Sequence, residues 1–255
     1  MSTDSMREQM IGRFTTEHLT ETDSTNQVCK KLAQREAPDY VVWTDYQTAG
    51  RGCGTNTWES ERGKNLLFSI LCHPKNVKAT HQFVLLEAMS LALKESLEPY
   101  INTGSLSVKW PNDIYWNDYK LGGTLTECSL SGQQLKWCVI GTGLNVNQQT
   151  FTSDAPNPIS LLQITHNEFA LQSLLERILT IFSKYLEMVE NDHYEALHQA
   201  YTSILYRREG YHDFRDAQGV FRAKIVDVEQ EGTLVLQDTE GQTRCYQFKE
   251  VQFVL

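Results

Sequence analysis

The sequence predicts an α+β fold in two parts, a larger one over residues 1–205 and a smaller one over 206–255. Three observations carry this expectation. Residues 14–46 read as strand, helix, strand, and three segments between 107 and 147 read as an antiparallel meander. After residue 206 the chain offers short β-rich segments split by polar turns, with no helical period between them. The 255 residues are 40% hydrophobic and 22% charged, with 15 Gly and 6 Pro, which excludes collagen-like, mucin-like and wholly disordered chains.

In the first unit Asp23, Ser24 and Thr25 stand as capping residues before a helical stretch, and YVVWTDY is β-branched and aromatic, as a strand should be. A Gly-rich loop follows, QTAGRGCGTNTW over 47–58, then a strand in NLLFSILC. Leu86, Met89, Leu93 and Leu97 fall at steps of three and four, the core-facing stripe of a helix over about 80–98. SVKWPNDIYW, KLGGTLTECSL and QLKWCVIGTGLNVN are read as three strands, divided by turns at Asn117-Asp118 and Ser131-Gly132. A loop with Pro156 and Pro158 spans 151–160, and 167–203 reads as two helices broken near Asn191-Asp192. In the tail, FRAKIVDV, GTLVLQD and RCYQFKEV are strands of a small antiparallel barrel or sandwich.

Three motifs carry chemistry. Gly50, Gly52 and Gly54 let backbone approach a ligand, with Arg51 as a fixed charge between them. Thr55 breaks a dinucleotide fingerprint, and Trp58 and Asn65 break a P-loop around Gly63-Lys64. In KWPND (109–113) and KLGG (120–123), Lys109 and Lys120 are expected on neighbouring strands, converging on one anion beside Asn112 and Asp113. Gly122-Gly123 weakens a strand unless a ligand or another backbone comes close. GTGLNVN (141–147) adds glycines at a strand end and Asn145. Taken singly, each motif also reads as a plain turn or as exposed lysines. Together they describe a pocket with Gly-rich walls, two or three cations and one carboxylate, suited to chemistry on phosphate.

In that order, DSTN (23–26), QTAGRG (47–52) with Trp58, KWPND, KLGG and GTGLNVN resemble the motifs of biotin protein ligases over roughly 15–255. The resemblance implies a mixed sheet flanked by helices, related to class II aminoacyl-tRNA synthetase cores, with an SH3-like C-terminal barrel. It implies a two-step reaction: ATP activates biotin as biotinyl-5′-AMP, and a lysine of a biotin carboxyl carrier protein then takes the biotinyl group. Ser24, Thr25, Asn26, Gln47, Gly50, Arg51, Gly52, Cys53 and Lys120 are implied on the biotin side. Arg51, Trp58, Lys109, Asn112 and Asn145 are implied on the ATP side, Trp58 as a stacking surface. Lys120, Arg51 and Asp113 are the implied catalytic groups, Asp113 accepting the carrier lysine's proton. Mg²⁺ is implied without assignable ligands. A lipoate or octanoate ligase or transferase of related fold is the alternative. Family members commonly carry a second basic residue where this loop has Cys53, and that thiol is expected to be readily alkylated.

Composition and spacing exclude other classes. The six cysteines form no C-x-x-C pair and no His cluster has zinc-like spacing, so most are expected to be reduced and buried. Acidic residues exceed basic ones, 32 to 23, for a net charge of −9 that suits no general nucleic-acid coat. Only 22 residues precede Asp23, so a monofunctional enzyme without a DNA-reading domain is expected, as a monomer or weak homodimer. No apolar run approaches the ~20 residues needed to cross a bilayer. The N-terminus lacks a secretory pattern, which points to the cytoplasm.

Overall fold

In the computed structural model the described residues are 9–54, 56–101, 103–152 and 157–254; the N-terminal stretch read for a leader, Thr55 and Pro156 lie outside them. The chain runs β1 (Gln9–Ile11), β2 (Phe14–Leu19), α1 (Thr25–Gln34), β3 (Tyr40–Thr44), β4 (Leu66–Cys72), α2 (Val84–Leu97), β5 (Leu106–Lys109), β6 (Asp113–Trp116), β7 (Tyr119–Ser131) and β8 (Gln134–Leu144). Three helices follow, α3 (Leu161–Thr165), α4 (Leu171–Glu190) and α5 (Tyr194–Ser203). The tail holds β9 (His212–Asp216), β10 (Gly219–Val228), β11 (Leu234–Asp238), β12 (Thr243–Tyr246) and β13 (Gln252–Phe253).

The first eight strands form one sheet in the order β1-β2-β3-β4-β8-β7-β6-β5. Only β2 and β3 pair in parallel, and α1 supplies the crossover that parallel pairing requires. The sheet is therefore mixed. Its centre, β4, is apolar on both faces because both are covered. Leu66, Phe68 and Ile70 join the large core with α2, α4 and α5, while Leu71 joins Cys29, Ala33, Val42 and Val139 under α1. The remaining strands form an antiparallel sheet, β12-β11-β10-β9-β13. Trp110 Nε1, in the turn after β5, donates to the Gly232 carbonyl between β10 and β11 at 2.9 Å, tying the two sheets together.

Three readings need correction. SVKWPNDIYW is two strands: Trp110, Pro111 and Asn112 form the turn between β5 and β6, since proline cannot donate to a ladder. Lys109 and Lys120 are consequently not on neighbouring strands; β6 lies between them. Helix α3 follows directly on the loop, opened by a capping box in which Gln163 N–H donates to Ser160 Oγ. The edge strands β1 and β13 and the inner strand β9 have no counterpart in the sequence reading.

Candidate active site

The site lies where α1, the Gly-rich loop and the β6–β7–β8 part of the sheet meet. At the start of α1, Ser24, Thr25 and Asn26 are buried. The Thr25 backbone N–H and hydroxyl both donate to Gln47 Oε1, at 2.8 and 3.1 Å, so the helix start holds the first residue of the loop. Ser69 Oγ lies 2.6 Å from Thr25 Oγ1 and donates to Asn26 Oδ1 at 2.5 Å. Asn26 Nδ2 then donates to Glu127 Oε2 at 3.0 Å, and Lys30 pairs with the other oxygen of that carboxylate. Burial pushes the Glu127 carboxyl up, but the bonds from Lys30 and Asn26 outweigh it and hold it below its ordinary value, with help from Arg51. The result is a polar floor of two hydroxyls, two amides and a charged carboxylate. Ser69 and Glu127 were missed in the sequence. Ser69 had a signal, as the one polar residue in the apolar run of β4.

The second wall is charged. Lys120 Nζ stands 2.8 Å from Asp113 Oδ1 and 5.9 Å from the Trp58 ring. The register of β6 and β7 explains the pairing. Asp113 faces Gly123 and Tyr115 faces Lys120, with a shift between, so β7 carries one extra residue. That bulge brings Lys120 onto the side of Asp113, which plain alternation over three residues would forbid. Lys109 is half-buried and donates to the Tyr115 hydroxyl at 3.1 Å, with Phe253 of the second sheet 5.4 Å from its ammonium. Burial pushes the Lys109 pKa down, and the Asp113 carboxylate opposes this.

Close approach accounts for the glycines, but the approaching groups belong to the protein. A Cβ on Gly141 would lie 1.8 Å from Asn26 Oδ1, and one on Gly143 2.4 Å from the Trp58 ring. Gly122 is packed against the Gly143 carbonyl, and Gly123 sits under the Asp113–Lys120 pair. Trp58 is half-buried, its ring packed over Gly143 of β8. Asn112 donates to the Thr124 carbonyl and Asn145 Nδ2 to that of Ile159 at 3.1 Å, so both amides brace backbone. Arg51 is exposed, and its charge reaches Glu127 on the floor. Gly50 and Gly52 are pinned across the loop, by Trp58 N–H to the Gly50 carbonyl at 3.1 Å and Gly52 N–H to the Asn56 carbonyl at 2.8 Å. Cys53 is half-buried rather than free at the loop tip; burial pushes its thiol up, against the charges of Lys249 and Lys120.

Comparison with known proteins bears on this constellation. Residues 19–145 match the family described as the biotin/lipoate A/B protein ligases. The bifunctional ligase/repressor BirA of Bacillus spizizenii is 30% identical over 237 residues, covering 88% of this chain and 69% of that protein. The chain belongs to the biotin/lipoate A/B protein ligase family. Within that family, the biotin--[acetyl-CoA-carboxylase] ligase of Mycobacterium tuberculosis is 29% identical over 168 residues, 63% of this chain and 61% of that one. The solved biotin protein ligase of Aquifex aeolicus in complex with biotin and ATP superposes with a TM-score of 0.76 at 24% identity, over 94% of this chain and 99% of that one. The fold of this family member is therefore that of the biotin ligases. Among the described residues, no helix is long and apolar enough to cross a membrane.

Proposed function

We propose that this ligase-family chain joins biotin to a lysine of a biotin carboxyl carrier protein at the expense of ATP. The observation that carries the reading is the Asp113–Lys120 pair set beside a hydrogen-bonding floor of hydroxyls, amides and the Glu127 carboxylate. Ser24, Thr25, Asn26, Gln47 and Ser69 offer hydroxyls and amides to a ureido ring. The biotin carboxylate attacks the α-phosphorus of ATP, the bond to the bridging oxygen breaks, and pyrophosphate leaves. Lys120 lies between the two anions and lowers their repulsion as the P–O bond forms. The carrier lysine's amine then attacks the acyl carbon, AMP leaves, and Asp113 takes the amine proton. Arg51 and Lys109 add positive charge on the two sides.

Among the described residues, no group of three or more His, Cys, Asp or Glu gathers to cage a metal. Asp113 alone beside the lysines fits a hydrated Mg²⁺ held chiefly by the ATP phosphates, where it would neutralise the leaving pyrophosphate. In the same reading residues 1–205 form the catalytic domain and 206–255 an SH3-like module. The chain acts in the cytoplasm as a monomer or weak homodimer, apart from DNA, whose phosphates its net charge of −9 repels. Purified protein incubated with ATP, a carrier domain and either biotin, lipoate or octanoate decides the substrate by mass spectrometry. Addition of one biotin supports the reading; transfer of lipoate or octanoate alone overturns it.

A further inference from the structure

Lys249 lies in the turn between β12 and β13, nearly two hundred residues from the Gly-rich loop. Its φ of +72° is left-handed, a conformation that costs a residue with a side chain and suits glycine. The turn is held by Gln247 N–H donating to Glu250 Oε2 at 2.7 Å and Glu250 N–H to the Gln247 carbonyl at 3.1 Å. A lysine kept at such a position invites a functional explanation. Its side chain spans the gap between the two sheets. A Cβ built on Gly54 would lie 2.1 Å from Lys249 Nζ and 3.0 Å from its Cε. The ammonium therefore rests on the loop backbone beside Cys53, whose thiol also feels Lys120 and Asp113. Among the described residues, none of the ion pairs engages Lys249.

We propose that Lys249 is a phosphate-binding residue of this active site, delivered by the C-terminal sheet to Gly54, three residues along the Gly-rich loop from Arg51, the loop's one charged side chain. This rests on the adenylation reading above. A compact ammonium on a long stem suits a phosphate oxygen, and its seat on Gly54 faces the Lys120–Asp113 pair across Cys53. Loop and C-terminal sheet then close on the nucleotide together. The sheet serves retention of the adenylate as well as packing.

The test uses the full chain with Lys249→Gly and Lys249→Arg. Glycine relieves the left-handed strain, so the thermal midpoint of Lys249→Gly should not fall below that of wild type. Losing one charged contact should raise the KM for ATP about tenfold and speed single-turnover release of labelled adenylate about tenfold, leaving the KM for biotin unchanged. Lys249→Arg should recover most of both effects. Values for ATP and for release within twofold of wild type in Lys249→Gly overturn the proposal. Calorimetric binding of AMP, which carries the phosphate that the adenylate keeps, needs no acid substrate and separates the two readings. Wild type that forms no biotinyl adenylate sinks the adenylation reading, whereas equal AMP affinity in wild type and Lys249→Gly sinks the role of Lys249.

Discussion

Lys120 reaches Asp113 because β7 carries one residue more than β6 between them, and the bulge turns the lysine to the aspartate's side at 2.8 Å. The pair holds the ammonium in place before any substrate arrives. Lys120→Ala should reduce biotin-dependent ATP–pyrophosphate exchange on the order of 10²–10³-fold. The pair is partly exposed, so stability should change by no more than about 1 kcal/mol. Exchange at near wild-type rate would remove Lys120 from the chemistry.

Gly141→Ala should be among the costliest single-methyl additions in the protein. The new Cβ meets Asn26 Oδ1 at 1.8 Å, and Asn26 cannot swing away because Ser69 and Glu127 hold it. A loss of about 1–3 kcal/mol in denaturant unfolding, together with weakened biotin binding, is expected. Gly132→Ala meets nothing within 4 Å but has φ +63°, so it should cost about 1 kcal/mol and leave biotin binding alone. Equal biotin affinity for the two variants would contradict this account of Asn26.

His198 ties the helical layer to the second sheet, its imidazolium donating to Glu87 Oε1 (2.8 Å) and Asp227 Oδ1 (3.2 Å). The hydrogen bond with Glu87 raises its pKa to about 9, against the opposing effect of burial. A raised pKa stabilises the fold fully below the unfolded value near 6.5 and loses that stability as pH climbs through about 9. The thermal midpoint should therefore fall more between pH 7 and pH 10 in wild type than in His198→Gln. Parallel curves for the two proteins would show that the imidazolium contributes nothing.

Thiol labelling at pH 7.5 should order the cysteines. Cys245 is exposed and should react first. Cys53 should lag behind it, since burial lifts its pKa and the thiolate is the reactive form. Cys29, lifted by burial to about 12, and the buried Cys72 and Cys138 should label only on unfolding. Peptide mapping that finds Cys53 modified as fast as Cys245 would place it in solvent after all.

The sequence carries the layers of the fold well, because burial writes periodicity into it. The doubly covered β4, the stripe of α2 and the break at Asn191-Asp192 were all legible. Helix α3 went unread, although Ser160 and Gln163 are spaced as a capping box just past the loop. Short edge strands such as β1 bury too little to leave a pattern. Within the site, motifs located the loop, the lysines and the start of α1. They could not reveal partners set by register, since a single extra residue in β7 decides which side Lys120 takes. Nor could local spacing indicate that glycines on β8 receive Asn26 and Trp58, or that residue 249 returns to residue 54.

The hydroxyl of Ser69 has a consequence for anyone engineering this enzyme. It is a fully buried polar group in the most apolar strand, answered among the described residues by Thr25 and Asn26. A stabilisation programme guided by packing would select Ser69→Val early, trading a desolvated hydroxyl for apolar contact on a rigid strand. The gain in melting temperature would be bought with ligand affinity, because the helix start and the first loop residue would lose the anchor that aligns them. Thermostable variants of this enzyme are better sought in its exposed turns than in its quietest strand.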